Sequence, residues 1–154
     1  CPEGSYSLGR QQACTPCQAG YYCTNPATAE SFPCATGTFS VGGKHQCTDC
    51  PAGYTCSSRS TDQSEQCGLG YYSLQGEPLC TPCPAGSRCP LPQDSPIACD
   101  PGYYSTEAST NCTSCPAGYF CDDPEAAPQP CEVGFYSGGG SAVCLACQPG
   151  YHCP

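Results

Sequence analysis

The 154 residues include 20 cysteines and carry a formal net charge of -9, with only four basic residues (Arg10, Lys44, Arg59, Arg88). So little positive charge argues against a nucleic-acid partner, which is held by clustered Lys and Arg that displace counterions, and against an anionic membrane surface. Leu, Ile, Val and Phe together number 14, too few for a conventional core, so covalent cross-links must offset the chain entropy in an oxidising compartment.

No stretch approaches the roughly 18 apolar residues of a membrane span, so no direct membrane insertion is expected in this segment. The chain has no Met, begins at Cys1-Pro2 and stops at Cys153-Pro154. It reads as an excerpt of a longer extracellular or cell-surface array, with its signal peptide and anchor elsewhere.

In chain order the sequence is five copies of Cx12CxxCx5C. The first copy, residues 1–33, holds Cys1, Cys14, Cys17 and Cys23; the second, 34–66, holds Cys34, Cys47, Cys50 and Cys56. The third, 67–98, holds Cys67, Cys80, Cys83 and Cys89, and the fourth, 99–130, holds Cys99, Cys112, Cys115 and Cys121. The fifth, 131–154, holds Cys131, Cys144, Cys147 and Cys153, with its spacer cut short. Intervals within a copy never vary, while the spacers between copies run ten, ten, nine and nine residues.

Other residues recur with the cysteines. Three residues after the first Cys stands Gly4, Gly37, Gly70, Gly102 or Gly134, then an aromatic (Tyr6, Phe39, Tyr72, Tyr104, Tyr136) and always Ser (Ser7, Ser40, Ser73, Ser105, Ser137). A second series, Gly20, Gly53, Gly86, Gly118 and Gly150, follows the third Cys, with Tyr next to it except at Ser87. Glycine at a fixed place predicts positive φ or close backbone approach at a turn. The neighbouring aromatic reads as a lid over a disulfide.

The Gly-x-aromatic-Ser stretch before the second Cys predicts a two-stranded ribbon, turning in segments such as Gly42-Gly43 or Gly138-Gly139-Gly140. No window has helical periodicity. The spacers, residues 25–33, 57–66, 90–98 and 122–130, are rich in Pro or Ser and expected to be extended. The predicted fold is therefore small and disulfide-rich: five tandem β/coil modules of 32–33 residues forming an elongated rod, with few short hairpins and no substantial helix.

Four cysteines per copy allow three pairings, and spacing alone does not choose among them. The nested scheme would bridge Cys14 to Cys17 across two residues, a small ring better suited to redox chemistry, and a crossed scheme stays open. The phrases CPxGxYS and CTPCPAGxxC resemble the short cysteine-rich repeats named after the ephrin-receptor ectodomain, which occur in tandem arrays in large surface proteins. The opening Cys1-Pro2-Glu3-Gly4-Ser5-Tyr6 also resembles the first module of tumour-necrosis-factor-receptor cysteine-rich domains. That resemblance implies a first-to-second bridge beside an aromatic, and with it the favoured pairing is first with second and third with fourth in every copy.

Chemical readings of these residues are weak. Five CxxC motifs could supply thiolates to zinc, but neither a basic surface nor a βαβ redox context accompanies them. His45 and His152 occupy non-equivalent positions in different copies, and no nucleophile, base and orienting group come together, so neither an enzyme nor a cofactor is expected. Asp122, Asp123 and Glu125 form an acidic spacer without EF-hand spacing. Asn111-Cys112-Thr113 is an N-glycosylation sequon.

The function expected is structural: a stalk that holds another domain away from the cell, or a segment of an extracellular filament. The partners are then the chain itself, another extracellular protein, and glycans. The tyrosine pairs Tyr21-Tyr22, Tyr71-Tyr72 and Tyr103-Tyr104 are the candidate contact row, one ring of each serving the module. The alternative is a receptor or adhesion module, for which the third copy, with Ser87-Arg88 in place of aromatics, is the candidate binding surface.

Overall fold

The glycines dictate the first step of folding. In the computed structural model, which describes residues 1–9, 13–60 and 64–150, all ten glycines of the two series have φ between +75° and +89°. In the first nine, each is the third residue of a turn closed by an N–H···O=C bond, from Ser5 to Pro2 at 3.1 Å through to Phe135 to Glu132 at 2.9 Å. Positive φ at the third position is the mark of a type II turn, which glycine adopts without steric cost.

Each turn delivers a two-residue strand that pairs, antiparallel, with a strand just before the next hairpin's opening cysteine. β1 (Ser5–Tyr6) pairs with β2 (Thr15–Pro16), and β3 (Tyr21–Tyr22) with β4 (Phe32–Pro33). β5 (Thr38–Phe39) pairs with β6 (Thr48–Asp49), and β7 (Tyr54–Thr55) with β8 (Glu65–Gln66). β9 (Tyr71–Tyr72) pairs with β10 (Thr81–Pro82), and β11 (Ser87–Arg88) with β12 (Ile97–Ala98). β13 (Tyr103–Tyr104) pairs with β14 (Thr113–Ser114), β15 (Tyr119–Phe120) with β16 (Gln129–Pro130), and β17 (Phe135–Tyr136) with β18 (Leu145–Ala146). The described residues contain no helix.

Every hairpin is closed at its base in the same way. The cysteine after the return strand donates its N–H to the carbonyl of the turn glycine, from Cys17 to Gly4 at 2.8 Å through to Cys147 to Gly134 at 2.9 Å. The structural repeat is thus a hairpin of 16 or 17 residues, opened by Cys-x-x-Gly and occurring twice in each of the first four Cx12CxxCx5C copies and once among the described residues of the fifth.

The two hairpins of a copy differ in where their disulfide falls. Wide rings join Cys1–Cys14, Cys34–Cys47, Cys67–Cys80, Cys99–Cys112 and Cys131–Cys144. Tight rings join Cys17–Cys23, Cys50–Cys56, Cys83–Cys89 and Cys115–Cys121. The expected partner of Cys147, Cys153, lies outside the described residues.

Two expectations from sequence need correction. The return strand of the wide-ring hairpin lies beyond the second Cys, in the middle of CxxC, where Thr15-Pro16 and its equivalents sit. The spacers are not extended throughout: backbone bonds from Thr28 to Asn25, Asp94 to Leu91 and Ala126 to Asp123 turn three of them, and their last two residues are the return strands of the tight-ring hairpins. That explains their elasticity: the one-residue difference falls between the strands of the tight-ring hairpins, nine residues from β3 to β4 and from β7 to β8 against eight from β11 to β12 and from β15 to β16.

The chain forms two compact units, one of Cys1–Cys67 with Ser73–Cys80, the other of Gly68–Tyr72 with Thr81–Pro154. Among the described residues of both, the buried side chains are cysteines and serines, with no aromatic among them. The tight-ring sulfurs supply most of this interior: both cysteines of all four tight rings are buried.

Candidate functional site

A tandem array lives by its joints, and the joints account for the recurring residues. From each tight-ring hairpin to the next wide-ring hairpin run three backbone hydrogen bonds. In the first joint Gly20 N–H donates to Ser40 C=O (2.8 Å), Gly43 N–H to Cys17 C=O (2.8 Å), and Cys23 N–H to Lys44 C=O (3.1 Å). The second repeats this with Gly53 to Ser73, Gly76 to Cys50 and Cys56 to Pro78, and the third with Gly86 to Ser105, Ala108 to Cys83 and Cys89 to Ser109. The fourth joins Gly118 to Ser137, Gly140 to Cys115 and Cys121 to Ser141.

The invariant serine bolts the joint. Ser40, Ser73, Ser105 and Ser137 are all buried, and the hydroxyls of Ser73, Ser105 and Ser137 donate to the carbonyls of Tyr54, Ser87 and Tyr119 in the preceding tight-ring hairpin. The Ser40 hydroxyl instead accepts from Gly42 N–H at 3.2 Å. A buried carbonyl left without a donor costs about 1–3 kcal/mol, so a hydroxyl on a short side chain is retained here. Sequence recurrence showed the serine; the carbonyl it serves, 18 or 19 residues earlier, had no local signal.

The first glycine series is needed for a second reason. A Cβ on Gly4 would lie 2.2 Å from the carbonyl oxygen of Gly43, one on Gly37 1.8 Å from that of Gly76, and one on Gly70 1.9 Å from that of Ala108. Gly102 meets Gly140 in the same way at 2.2 Å. Each wide-ring loop is therefore seated on the turn glycine of the wide ring before it. Ala108 holds the same left-handed conformation, φ 60°, that Gly43 and Gly140 adopt at the equivalent place.

The tyrosine pairs divide as alternate strand residues must. Tyr21, Tyr71 and Tyr103 are exposed, while Tyr22, Tyr72 and Tyr104 are half-buried. Tyr22 packs its ring 5.5 Å from Phe32, its cross-strand partner. Tyr21 and Tyr71 stand opposite Pro33 and Pro82.

The remaining polar candidates are solvated. His45 faces Glu3 at 3.5 Å, both well exposed. Asp122 and Asp123 carboxylates accept the backbone N–H groups of Asp123 and Glu125 at 3.0 Å, shaping the spacer turn. Among the described residues no group of three His, Cys, Asp or Glu side chains is arranged to hold a metal, and no helix is long and apolar enough to cross a membrane. His152 lies outside the described residues.

Arg88, Ile97, Asp100, Tyr103 and Asn111 line an open cavity of about 460 Å³ within the second unit, one of several shallow cavities among the described residues. Compared with known proteins, the chain matches no protein-family model and no curated protein.

Proposed function

We propose that this chain is a segment of an extracellular structural array, serving as a cell-surface stalk or as part of an extracellular filament. The observation that carries the reading is the joint: three backbone bonds at each of four successive joints, four of the six groups in each supplied by Gly, Ser and Cys positions that recur in every copy. A joint made from recurring residues lets an array lengthen copy by copy, with stability accruing from neighbour contacts. The disulfides belong to an oxidising environment, and the likeness of the repeated phrases to ephrin-receptor-like repeats favours a surface protein.

Negative-stain electron microscopy of the unreduced protein over a concentration series tests this. Regular filaments, or separate thin particles of uniform length, are expected. Compact globular particles at every concentration would refute it.

A receptor or adhesion role is the second reading, and the cavity beside Arg88 favours it. Arg88→Glu would then abolish capture of a protein ligand by the third copy.

A further inference from the structure

Two positions that vary from copy to copy meet in one place. At the second strand position of the tight-ring hairpin, where the first, second and fourth copies carry Tyr22, Thr55 and Phe120, the third carries Arg88, and its cross-strand partner is Ile97 where theirs are Phe32, Glu65 and Gln129. At the position filled elsewhere by Ala13, Gln46, Leu79 and Val143, the fourth copy has Asn111, which completes the chain's one Asn-x-Thr sequon. Arg88 and Asn111 line the same cavity.

We propose that Asn111 carries an N-linked glycan whose first sugar lies in this cavity, against Tyr103, Ile97 and Arg88. Asn111 is exposed on a bend between the loop and β14, and its amide makes only a long contact, 3.4 Å, to Thr110 Oγ1, leaving it accessible for modification. Tyr103 and Ile97 are 41% and 42% exposed, offering apolar surface to the C–H face of an N-acetylhexosamine. Arg88 can donate to the acetamido and hydroxyl oxygens, and Asp100 can accept from a hydroxyl. A cavity of about 460 Å³ is within the range of small-ligand sites.

The inference rests on the extracellular reading, because the donor, an oligosaccharide on a lipid pyrophosphate, is met in the secretory lumen. Asn111 Nδ2 bonds to the anomeric carbon of the donor sugar. The anomeric C–O bond to pyrophosphate breaks, the lipid pyrophosphate leaves with the electron pair, and the amide loses one proton to a base. No electrons are exchanged with an oxidant.

The test is secretion of the chain from eukaryotic cells as wild type, Asn111→Gln and Thr113→Ser, with intact masses before and after peptide N-glycosidase. Loss of one glycan from wild type and Thr113→Ser, and none from Asn111→Gln, is expected. With the glycan trimmed to one N-acetylglucosamine, phenylglyoxal should modify Arg88 about fivefold more slowly than in Asn111→Gln, the factor for a contact of roughly 1 kcal/mol. Nuclear Overhauser contacts should link the acetyl methyl to the Tyr103 ring. A secreted, fully oxidised chain without glycan overturns the proposal but leaves the extracellular reading standing. A glycan with no Tyr103 contact and no protection of Arg88 overturns the seat. Retention inside the cell with reduced thiols overturns both.

Discussion

Replacing Gly37 with alanine would put a methyl group where a carbonyl oxygen already is, since an ideal Cβ there lies 1.8 Å from the oxygen of Gly76. The conformation, φ +83°, costs an L residue about 1–2 kcal/mol. The overlap adds to this because the oxygen is backbone: Gly76 also donates its N–H to Cys50 C=O at 2.9 Å, and moving the loop breaks that bond, at about 1–3 kcal/mol for buried groups. The sum is roughly 3 kcal/mol or more. Gly118→Ala is the control, with nearly the same φ, +80°, and, among the described residues, nothing within 4 Å of its Cβ position. It should cost only the conformational part, about 1–2 kcal/mol. Native-state hydrogen exchange under non-reducing conditions reads both. Cys50 and Gly76 N–H should exchange about 100-fold faster or more in Gly37→Ala, at 1.4 kcal/mol per decade, and Cys131 N–H, which donates to Gly118 C=O, about 5- to 30-fold faster in Gly118→Ala. Equal acceleration in the two variants would refute the seating of each wide-ring loop on the glycine before it.

Three further outcomes follow from the joints and bridges. Ser73→Ala strands the Tyr54 carbonyl, bonded at 2.8 Å, and should destabilise the second joint by about 1–3 kcal/mol; faster exchange at Gly53, Cys56 and Gly76 but not at the third joint is the expected pattern. Ala108→Gly removes a left-handed alanine (φ 60°); the relief of about 1–2 kcal/mol exceeds glycine's added chain entropy of about 0.5–1 kcal/mol, so Cys89 and Ala108 N–H should exchange more slowly, and faster exchange would contradict the strain. Mild reductant should open the wide rings before the tight ones, because Cys14 is exposed and Cys47, Cys80 and Cys112 are half-buried while both cysteines of all four tight rings are buried, and exchange requires access to sulfur. Alkylation followed by peptide mass spectrometry would show labels at those wide-ring cysteines first.

Much of this was written in the cysteine and glycine positions. Cysteine content excluded an ordinary core, invariant intervals marked the tandem copies, and glycine three residues after cysteine marked the positive-φ turns that occur there. The sequence also contained the half-length repeat, since Cys-x-x-Gly recurs ten times, but it is masked by the alternation of disulfide rings, which draws attention to the longer period. The return strands could not be read at all. A two-residue strand such as Thr15–Pro16 is too short to display alternation, which needs four residues or more, and Pro argues locally against a strand.

By itself the sequence determined which positions are constrained, because each copy is a replicate of the same local experiment. Only the tertiary structure decided what constrains them: the Tyr54 carbonyl that Ser73 serves, the Gly76 oxygen that denies Gly37 a side chain, and the cavity that brings Arg88 and Asn111 together. These partners are backbone atoms of other hairpins or side chains of neighbouring copies. Backbone atoms carry no residue identity, so their placement leaves no trace in the residues until the chain is folded.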